Sequence, residues 1–149
     1  MELRSVEELM DLLYACRGVV GPPVPGSTAV DLHDQALRTA ALLRRSRPAD
    51  KELQLTGLIG PIAQLLRPND PEAGAGLAAD AVRGLLGERV SDLLRRRPRH
   101  GGPAGDDALT LRHAEEESRA GGFDAGVLED WRTVLELVAA RNSRMGAVD

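Results

Sequence analysis

Aromatic residues and cysteine are both scarce in this sequence of 149 residues. Only Tyr14, Phe123 and Trp131 are aromatic, so a core must be built from Leu, Val, Ile and Ala, which favours helices over a β-sandwich. Cys16 is the only cysteine, which excludes an intrachain disulfide and a cysteine-based zinc site. Nothing near Cys16 indicates the electropositive surroundings of a catalytic thiol, and we interpret it as a small buried apolar residue.

A membrane-spanning run and a surplus of positive charge are also missing. No apolar run approaches the roughly 20 residues that cross a bilayer, and the first four residues lead into a helical pattern without a signal peptide. The basic stretch RRRPRH at 95–100 resembles a nucleic-acid patch, but the net charge is −4 and few aromatic side chains can stack on bases. We therefore expect a cytoplasmic protein with no membrane or nucleic-acid partner. The bias towards Ala, Arg, Gly and Leu suggests a bacterial genome of high GC content.

What remains in the composition predicts one globular domain over residues 1–149. Residues of the AVILMFWYC set make up 42% and charged residues 28%, which is typical of a chain with a real core. A chain of this length needs neither disulfides nor a structural metal to fold. Apolar residues recur at helical spacing, and no long stretch alternates as a strand does. The predicted fold class is all-α, a compact bundle of six or seven helices with a frayed tail over residues 142–149.

Local start and stop signals divide the chain into helices. Ser5 and Glu8 form a capping-box pattern that begins the first helix, and Asp124 is predicted to cap the last one. The other helices are predicted over residues 28–45, 50–66, 72–86, 88–96 and 107–120. Gly60 and Pro61 interrupt the third of these helices, because proline removes a backbone hydrogen bond and usually kinks a helix. The predicted core consists of Leu58, Ile59, Ile62, Leu93, Leu111, Leu128, Trp131 and Leu135.

Five short phrases, taken in order, carry a family resemblance. They are QALRTAALLRR (35–45), ADKELQLTGLIGPIAQLL (49–66), GLAADAVRGLLGERVSDLL (76–94), HGGP (100–103) and LRHAEEESRAGG (111–122). Together they resemble the HD superfamily, in particular its branch of iron-dependent phosphonate-degrading oxygenases, over residues 27–141. The resemblance implies an all-helical fold in which side chains from several helices converge on one interior metal site.

The positions of the family's metal ligands hold other residue types in this chain. By the resemblance, these ligands fall on Gln35, Gly60, Pro61 and Gln64, near Gly74 and Arg97, and on the acidic pair Glu115-Glu116, and the family's closing lysine falls on Arg119. One carboxylate pair alone cannot hold a transition metal tightly. Glycine and proline have no donor side chain, glutamine offers only a neutral amide oxygen, and an arginine repels a dication. The resemblance therefore implies a degenerate, metal-independent member of the superfamily that needs no cofactor.

The same positions define a candidate pocket, because their counterparts in the family must meet around shared ions. We expect Glu115, Arg97 and Arg119 to be catalytic, and Gln35, Arg38, Gln64 and Glu116 to bind the ligand. Arginine suits carboxylate, phosphate or enolate oxygens, and a carboxylate partly buried among Leu and Ile can act as a general acid or base. The alternative is that Glu115 and Arg119, which are four residues apart on a helix, form only a structural ion pair.

Three functions stay open from the sequence. The first is a cofactor-free enzyme for a small molecule of bacterial biosynthesis, catalysing a cyclisation, isomerisation, elimination or hydrolysis, with a homodimer as one option for its assembly. The second is a pseudoenzyme that acts as a ligand sensor or partner subunit. The third is a residual metal phosphohydrolase using His33, Asp34 and Glu115, although we interpret the His33-Asp34 dipeptide as a polar helix start. The missing ligands disfavour the third function, and the retained acidic pair and cation favour the first over the second.

Overall fold

The computed structural model of the chain describes residues 2–20, 30–96, 106–120 and 124–147, and most of these residues are helical. The α-helices are α1 (Val6–Ala15), α2 (Leu32–Ser46), α3 (Lys51–Ile59), α4 (Ile62–Leu66), α5 (Pro71–Leu86), α6 (Glu88–Arg96), α7 (Asp106–Ala120) and α8 (Arg132–Ala147). A 3-10 helix (Leu128–Trp131) leads into α8. Within the described ranges, the only β-type pairing is one isolated bridge between Val20 and Asp31. The prediction of an all-α fold is confirmed, and the described residues form seven α-helices if α3 and α4 count as one interrupted helix.

Side-chain caps set where the first helices begin. The Ser5 hydroxyl accepts the backbone N–H of Glu8 at 3.2 Å, as the capping-box pattern predicts. Helix α2 begins at Leu32, later than the predicted residue 28. The cause is Asp31, whose carboxylate accepts the backbone N–H groups of His33 at 2.8 Å and of Gly18 at 2.6 Å. Asp31 thereby caps α2 and ties its start to the turn that follows α1.

The predicted interruption of the third helix is present, and α3 ends where Gly60 and Pro61 begin. Both residues keep right-handed helical backbone angles, so the interruption changes the hydrogen bonding and not the helical conformation of the backbone. The hydrogen bonds tighten to the 3-10 pattern: the N–H of Ala63 donates to the Gly60 carbonyl at 3.1 Å, and that of Gln64 donates to the Pro61 carbonyl at 3.1 Å. Pro61 has no N–H to donate to the carbonyl four residues before it, so the regular helical bonding is interrupted at this point.

Two apolar clusters form the interior. The larger cluster joins α1, α2, α5 and α8 with parts of α3, α4 and α6, and the smaller one joins Leu43, Leu53, Leu111 and Ala114. Seven of the eight predicted core residues are buried: Leu58, Ile59, Ile62, Leu111, Leu128, Trp131 and Leu135. Leu93 is only partly buried, because α6 turns Val90 and Leu94 towards the core instead. Full burial of one such side chain is worth about 1.5–3 kcal/mol.

The C-terminal part differs from the prediction at both ends. Asp124 does not cap the last helix: its carboxylate accepts the N–H of Gly126 at 2.9 Å, and the Asp130 carboxylate accepts the N–H of Val127 at 3.3 Å. A 3-10 helix over Leu128–Trp131 therefore lies between Asp124 and the start of α8. Helix α8 extends to Ala147, past residue 142 where the sequence predicted fraying, and the Asn142 amide donates to the Gly84 carbonyl at 2.8 Å. In the described part of the chain, no helix combines the length and apolar character needed to cross a membrane.

Candidate functional site

Helices α2 and α7 pack against each other, and two contacts indicate that they run antiparallel. Arg47, directly after α2, pairs with Asp107 in the first turn of α7 at 3.1 Å. One turn further in, the side chains of Leu43 and Leu111 both lie against Gly57 of α3, where a Cβ atom would come within 2.5 Å of the Leu43 Cδ1. Glycine at this position lets α3 approach the helix pair closely. The Arg47–Asp107 pair and the Leu43–Leu111 pair indicate how the end of α2 and the start of α7 are aligned.

The spacing of these two contacts predicts that candidate residues near the start of α2 and the end of α7 lie at the same end of the helix pair. Residues about four apart recur on one face of a helix, so the same spacing, if it continues, predicts that Thr39 lies near Glu115 and Gln35 near Arg119. Gln35, Thr39 and Glu115 are all buried, and Arg119 is half-buried. We call Gln35, Glu115 and Arg119 the polar seam. Sequence reasoning proposed each of them for the pocket.

Gln35 has a hydrogen-bonding capacity that its surroundings leave unused. Its side chain is 4% exposed, and its amide nitrogen has no hydrogen-bond partner among the described residues. Its backbone carbonyl, by contrast, accepts the Thr39 hydroxyl at 2.8 Å. A buried N–H group without an acceptor costs about 1–3 kcal/mol, so this side chain lowers the stability of the folded protein unless a further group meets it.

Glu115 places a carboxylate in the interior of the helix pair. The residue is 8% exposed, and its backbone carbonyl accepts the Ser118 hydroxyl at 2.6 Å. Ser118 is itself fully buried, so polar groups and not only apolar ones occupy this part of α7. Buried carboxylates are rare outside sites where they are paired or used.

The other predicted site residues lie at different distances from the polar seam. Arg38 is half-buried on α2, and Glu116 is exposed on α7. Gln64 is half-buried on α4, and α4 packs chiefly on α5 rather than on α2 or α7. Arg97 lies outside the described residues. The convergence of all seven residues on one cavity therefore stays a prediction.

At two of the positions that the HD resemblance assigns to metal ligands, the side chain has no donor atom. Gly60 and Pro61 form the helix interruption and carry no donor atom, and within 2–20, 30–96, 106–120 and 124–147 no three His, Cys, Asp or Glu residues are grouped to hold an ion. His33 is buried, with its ring stacked on Tyr14 at 6.1 Å between centroids and its Nδ1 3.5 Å from the Leu13 carbonyl oxygen. Asp34 is exposed, so the two residues of the dipeptide have separate surroundings.

A groove of about 700 Å³ lies along α7 and the end of α2. Its described lining consists of Leu42, Ser46, Thr110, His113, Ala114, Glu116, Glu117 and Ala120. Of the predicted site residues, only Glu116 belongs to this lining. We call it the α7 groove and distinguish it from the polar seam, whose α7 residues lie on a different face of the helix.

Arg89 is the most connected side chain that sequence reasoning missed. Its guanidinium donates twice to Asp50, at 2.7 Å each, and once each to Glu52 and Asp107 at 3.0 Å. This bonding lowers the pKa of Asp50 below its usual range. Arg89 thus joins the starts of α3 and α7 to α6. The partners are 18 to 39 residues away in the sequence, and no local pattern pairs them.

Cys16 has the properties predicted for it. The thiol is buried, and its sulfur lies 3.7 Å from the Leu12 carbonyl oxygen. Burial, with a smaller contribution from the negative charge of Asp31, raises the pKa of Cys16 to about 11. The thiolate that nucleophilic catalysis requires is therefore scarce at neutral pH.

The chain matches no protein-family model, and no curated protein is significantly similar to it in sequence. The resemblance to the HD superfamily thus continues to depend on the five phrases of the sequence. The helical fold agrees with the fold that the resemblance implies, but helical bundles are common and fold alone does not establish function. The function has to be argued from the polar seam.

Proposed function

We propose that this chain is a metal-independent, HD-like protein that binds a small polar metabolite at the polar seam and transforms it by general acid–base chemistry without a cofactor. The observation that carries the proposal is the buried amide nitrogen of Gln35, which has no acceptor among the described residues. Functional sites are where proteins retain such locally unfavourable groups. The proposed setting is biosynthetic metabolism in the bacterial cytoplasm.

The residues of the polar seam indicate what the ligand must offer. The Gln35 amide needs an acceptor, and a carbonyl, carboxylate or phosphate oxygen would supply one. Arg119, which the helix spacing predicts to lie near Gln35 on the facing helix, would add a permanent positive charge and up to five donors, which favours an anionic oxygen. Glu115, one turn away, is the group that would take a proton from the bound molecule or return it.

Binding is tested by a substitution that removes only the amide. Gln35→Met keeps the length of the side chain and removes the unmet donor, so we expect the unliganded protein to gain about 1 kcal/mol in unfolding free energy. The same variant should lose the thermal stabilisation that small carboxylates or phosphorylated metabolites give the wild type. A panel of such compounds in a thermal-shift assay, confirmed by titration calorimetry, provides both readouts. Loss of stability in Gln35→Met would show that the amide is a structural group.

Catalysis is tested separately from binding. Compounds made or used by the products of neighbouring genes are incubated with the wild type, with Glu115→Gln and with Glu117→Gln as the exposed control. Turnover that is lost in Glu115→Gln and retained in Glu117→Gln supports the enzyme. Saturable binding without turnover supports the alternative, a pseudoenzyme that acts as a ligand sensor or partner subunit. Absence of binding by any compound that contains an anionic oxygen would contradict both.

A further inference from the structure

The α7 groove has a composition suited to another macromolecule rather than to the metabolite. Its floor contains Leu42 and Ala114, which belong to the smaller apolar cluster or pack against it. Its acidic side chains, Glu116 and Glu117, are both exposed on α7. No Lys or Arg belongs to the described lining. An apolar floor with an acidic margin therefore runs along one helix.

An exposed leucine extends this surface beyond the groove. Leu109 is 43% exposed on α7, and it shares one helical stripe with three lining residues: His113, Glu116 and Ala120. From Leu109 to Ala120 the stripe is about 16 Å long at 1.5 Å per residue, or about three helical turns. That length matches the apolar face of a helix of ordinary size. Small side chains such as Ala120 allow another helix to approach closely.

We propose that the α7 groove binds a basic amphipathic helix of a partner protein. The partner's apolar face would cover Leu109 and the floor of the groove, and its lysine or arginine side chains would meet Glu116 and Glu117. A second copy of this chain fits less well, because a symmetric contact through the groove would bring these carboxylates close to their own copies and like charges repel. The groove is separate from the polar seam, so this proposal does not depend on the proposed function.

The test uses a labelled synthetic helix of about 14 residues with leucines on one face and lysines on the other, and its counterpart with glutamates in place of the lysines. Fluorescence anisotropy measures the affinity of each peptide for the full chain at low salt. We expect the lysine peptide to bind and the glutamate peptide not to bind. Affinity for the lysine peptide should fall as salt rises, since charged pairs at a margin are screened.

Matched variants locate the site. The double variant Glu116→Gln/Glu117→Gln and the single variant Leu109→Gln should each weaken binding of the lysine peptide by about five-fold. The controls are Glu72→Gln/Glu136→Gln, which removes two exposed carboxylates elsewhere, and Leu137→Gln, which replaces a leucine that is 39% exposed on α8. They should leave the affinity unchanged within about two-fold.

Three results would overturn the proposal. They are equal binding of both peptides, an equal loss in the groove variants and in the controls, and a change of oligomeric state in the groove variants without peptide binding. The last of these would assign the groove to contacts between copies of this chain. The groove variants and their controls alter exposed side chains, so circular dichroism should show that these variants fold like the wild type. Gln35→Met should keep the affinity for the lysine peptide, since the polar seam is a different site.

Discussion

Replacing Arg89 tests whether one guanidinium holds three helices together. Arg89→Met keeps much of the apolar stem but leaves Asp50, Glu52 and Asp107 without their shared cation. These side chains are 21–38% exposed, so solvent screens each pair and limits it to about 0.2–1 kcal/mol. The bidentate contact with Asp50 should contribute an energy at the upper end of that range. We expect the free energy of unfolding to fall by about 2 kcal/mol, which corresponds to about 4–8 °C in Tm.

Urea unfolding followed by circular dichroism measures this loss, and Arg83→Met is the matched control. Arg83 pairs with Glu88 at 2.9 Å, but their side chains are 56% and 75% exposed. That variant should therefore leave the stability nearly unchanged, because solvent screens the pair. Arg89→Lys should lose about 1 kcal/mol, because lysine keeps the charge and not the planar fork. If Arg89→Met loses no more than Arg83→Met, the reasoning from the hydrogen-bond geometry is wrong.

The pH dependence gives an independent check on the same contact. The Arg89 guanidinium holds the pKa of Asp50 below its ordinary value of 3.8. Because the folded-state pKa is the lower one, the stabilisation is complete above about pH 5 and is lost as the pH falls through the folded-state pKa. The stability difference between the wild type and Arg89→Met should therefore be constant from about pH 5 to 8 and shrink below about pH 4. It should also shrink in about 1 M salt.

Three further predictions concern packing, the thiol and metal content. Gly74→Ala should lower the unfolding free energy by about 1–3 kcal/mol in urea titrations, because the added Cβ would lie 2.1 Å from the Ala63 carbonyl oxygen. Gly76→Ala, on the same helix, should raise the unfolding free energy by about 0.5–1 kcal/mol, because the nearest atom to the added Cβ is an Arg95 side-chain nitrogen at 3.8 Å. Cys16 should react with Ellman's reagent at about pH 8 only after denaturation, since burial raises its pKa to about 11, and rapid reaction of the folded protein would contradict this. Elemental analysis should find less than about 0.1 iron, zinc or manganese per chain, and one ion per chain would refute the metal-independent interpretation.

Local sequence signals predicted the parts of the fold that depend on neighbouring residues. Ser5 caps α1 through a residue three positions away, and the interruption at Gly60 and Pro61 follows from the missing N–H of proline. Helical periodicity selected seven of the eight core residues correctly, because apolar residues on one face have to be buried together. The prediction that Leu93 is buried was wrong, because periodicity defines the edge of a helix face only to within about one residue.

The helix boundaries that were wrong depend on competition between several capping residues. Asp31 and Asp124 are both followed by helical sequence, and either could cap a helix by its residue type. Asp31 does so, helped by its bond to Gly18 from the preceding turn. Asp124 instead bonds within its own turn, because Gly126 has a positive φ of 80° and directs the chain differently. Such choices depend on backbone conformation that a linear pattern does not record.

The sequence alone determined that the chain is helical and where most helices lie. These follow from residue type and short-range spacing. Only the tertiary structure decided that Arg47 after α2 pairs with Asp107 of α7, that the Gln35 amide nitrogen is buried without an acceptor among the described residues, and that Arg89 joins three helices. The physical reason is that burial and long-range pairing depend on how helices pack, and contacts between residues tens of positions apart leave no periodic signal in the sequence.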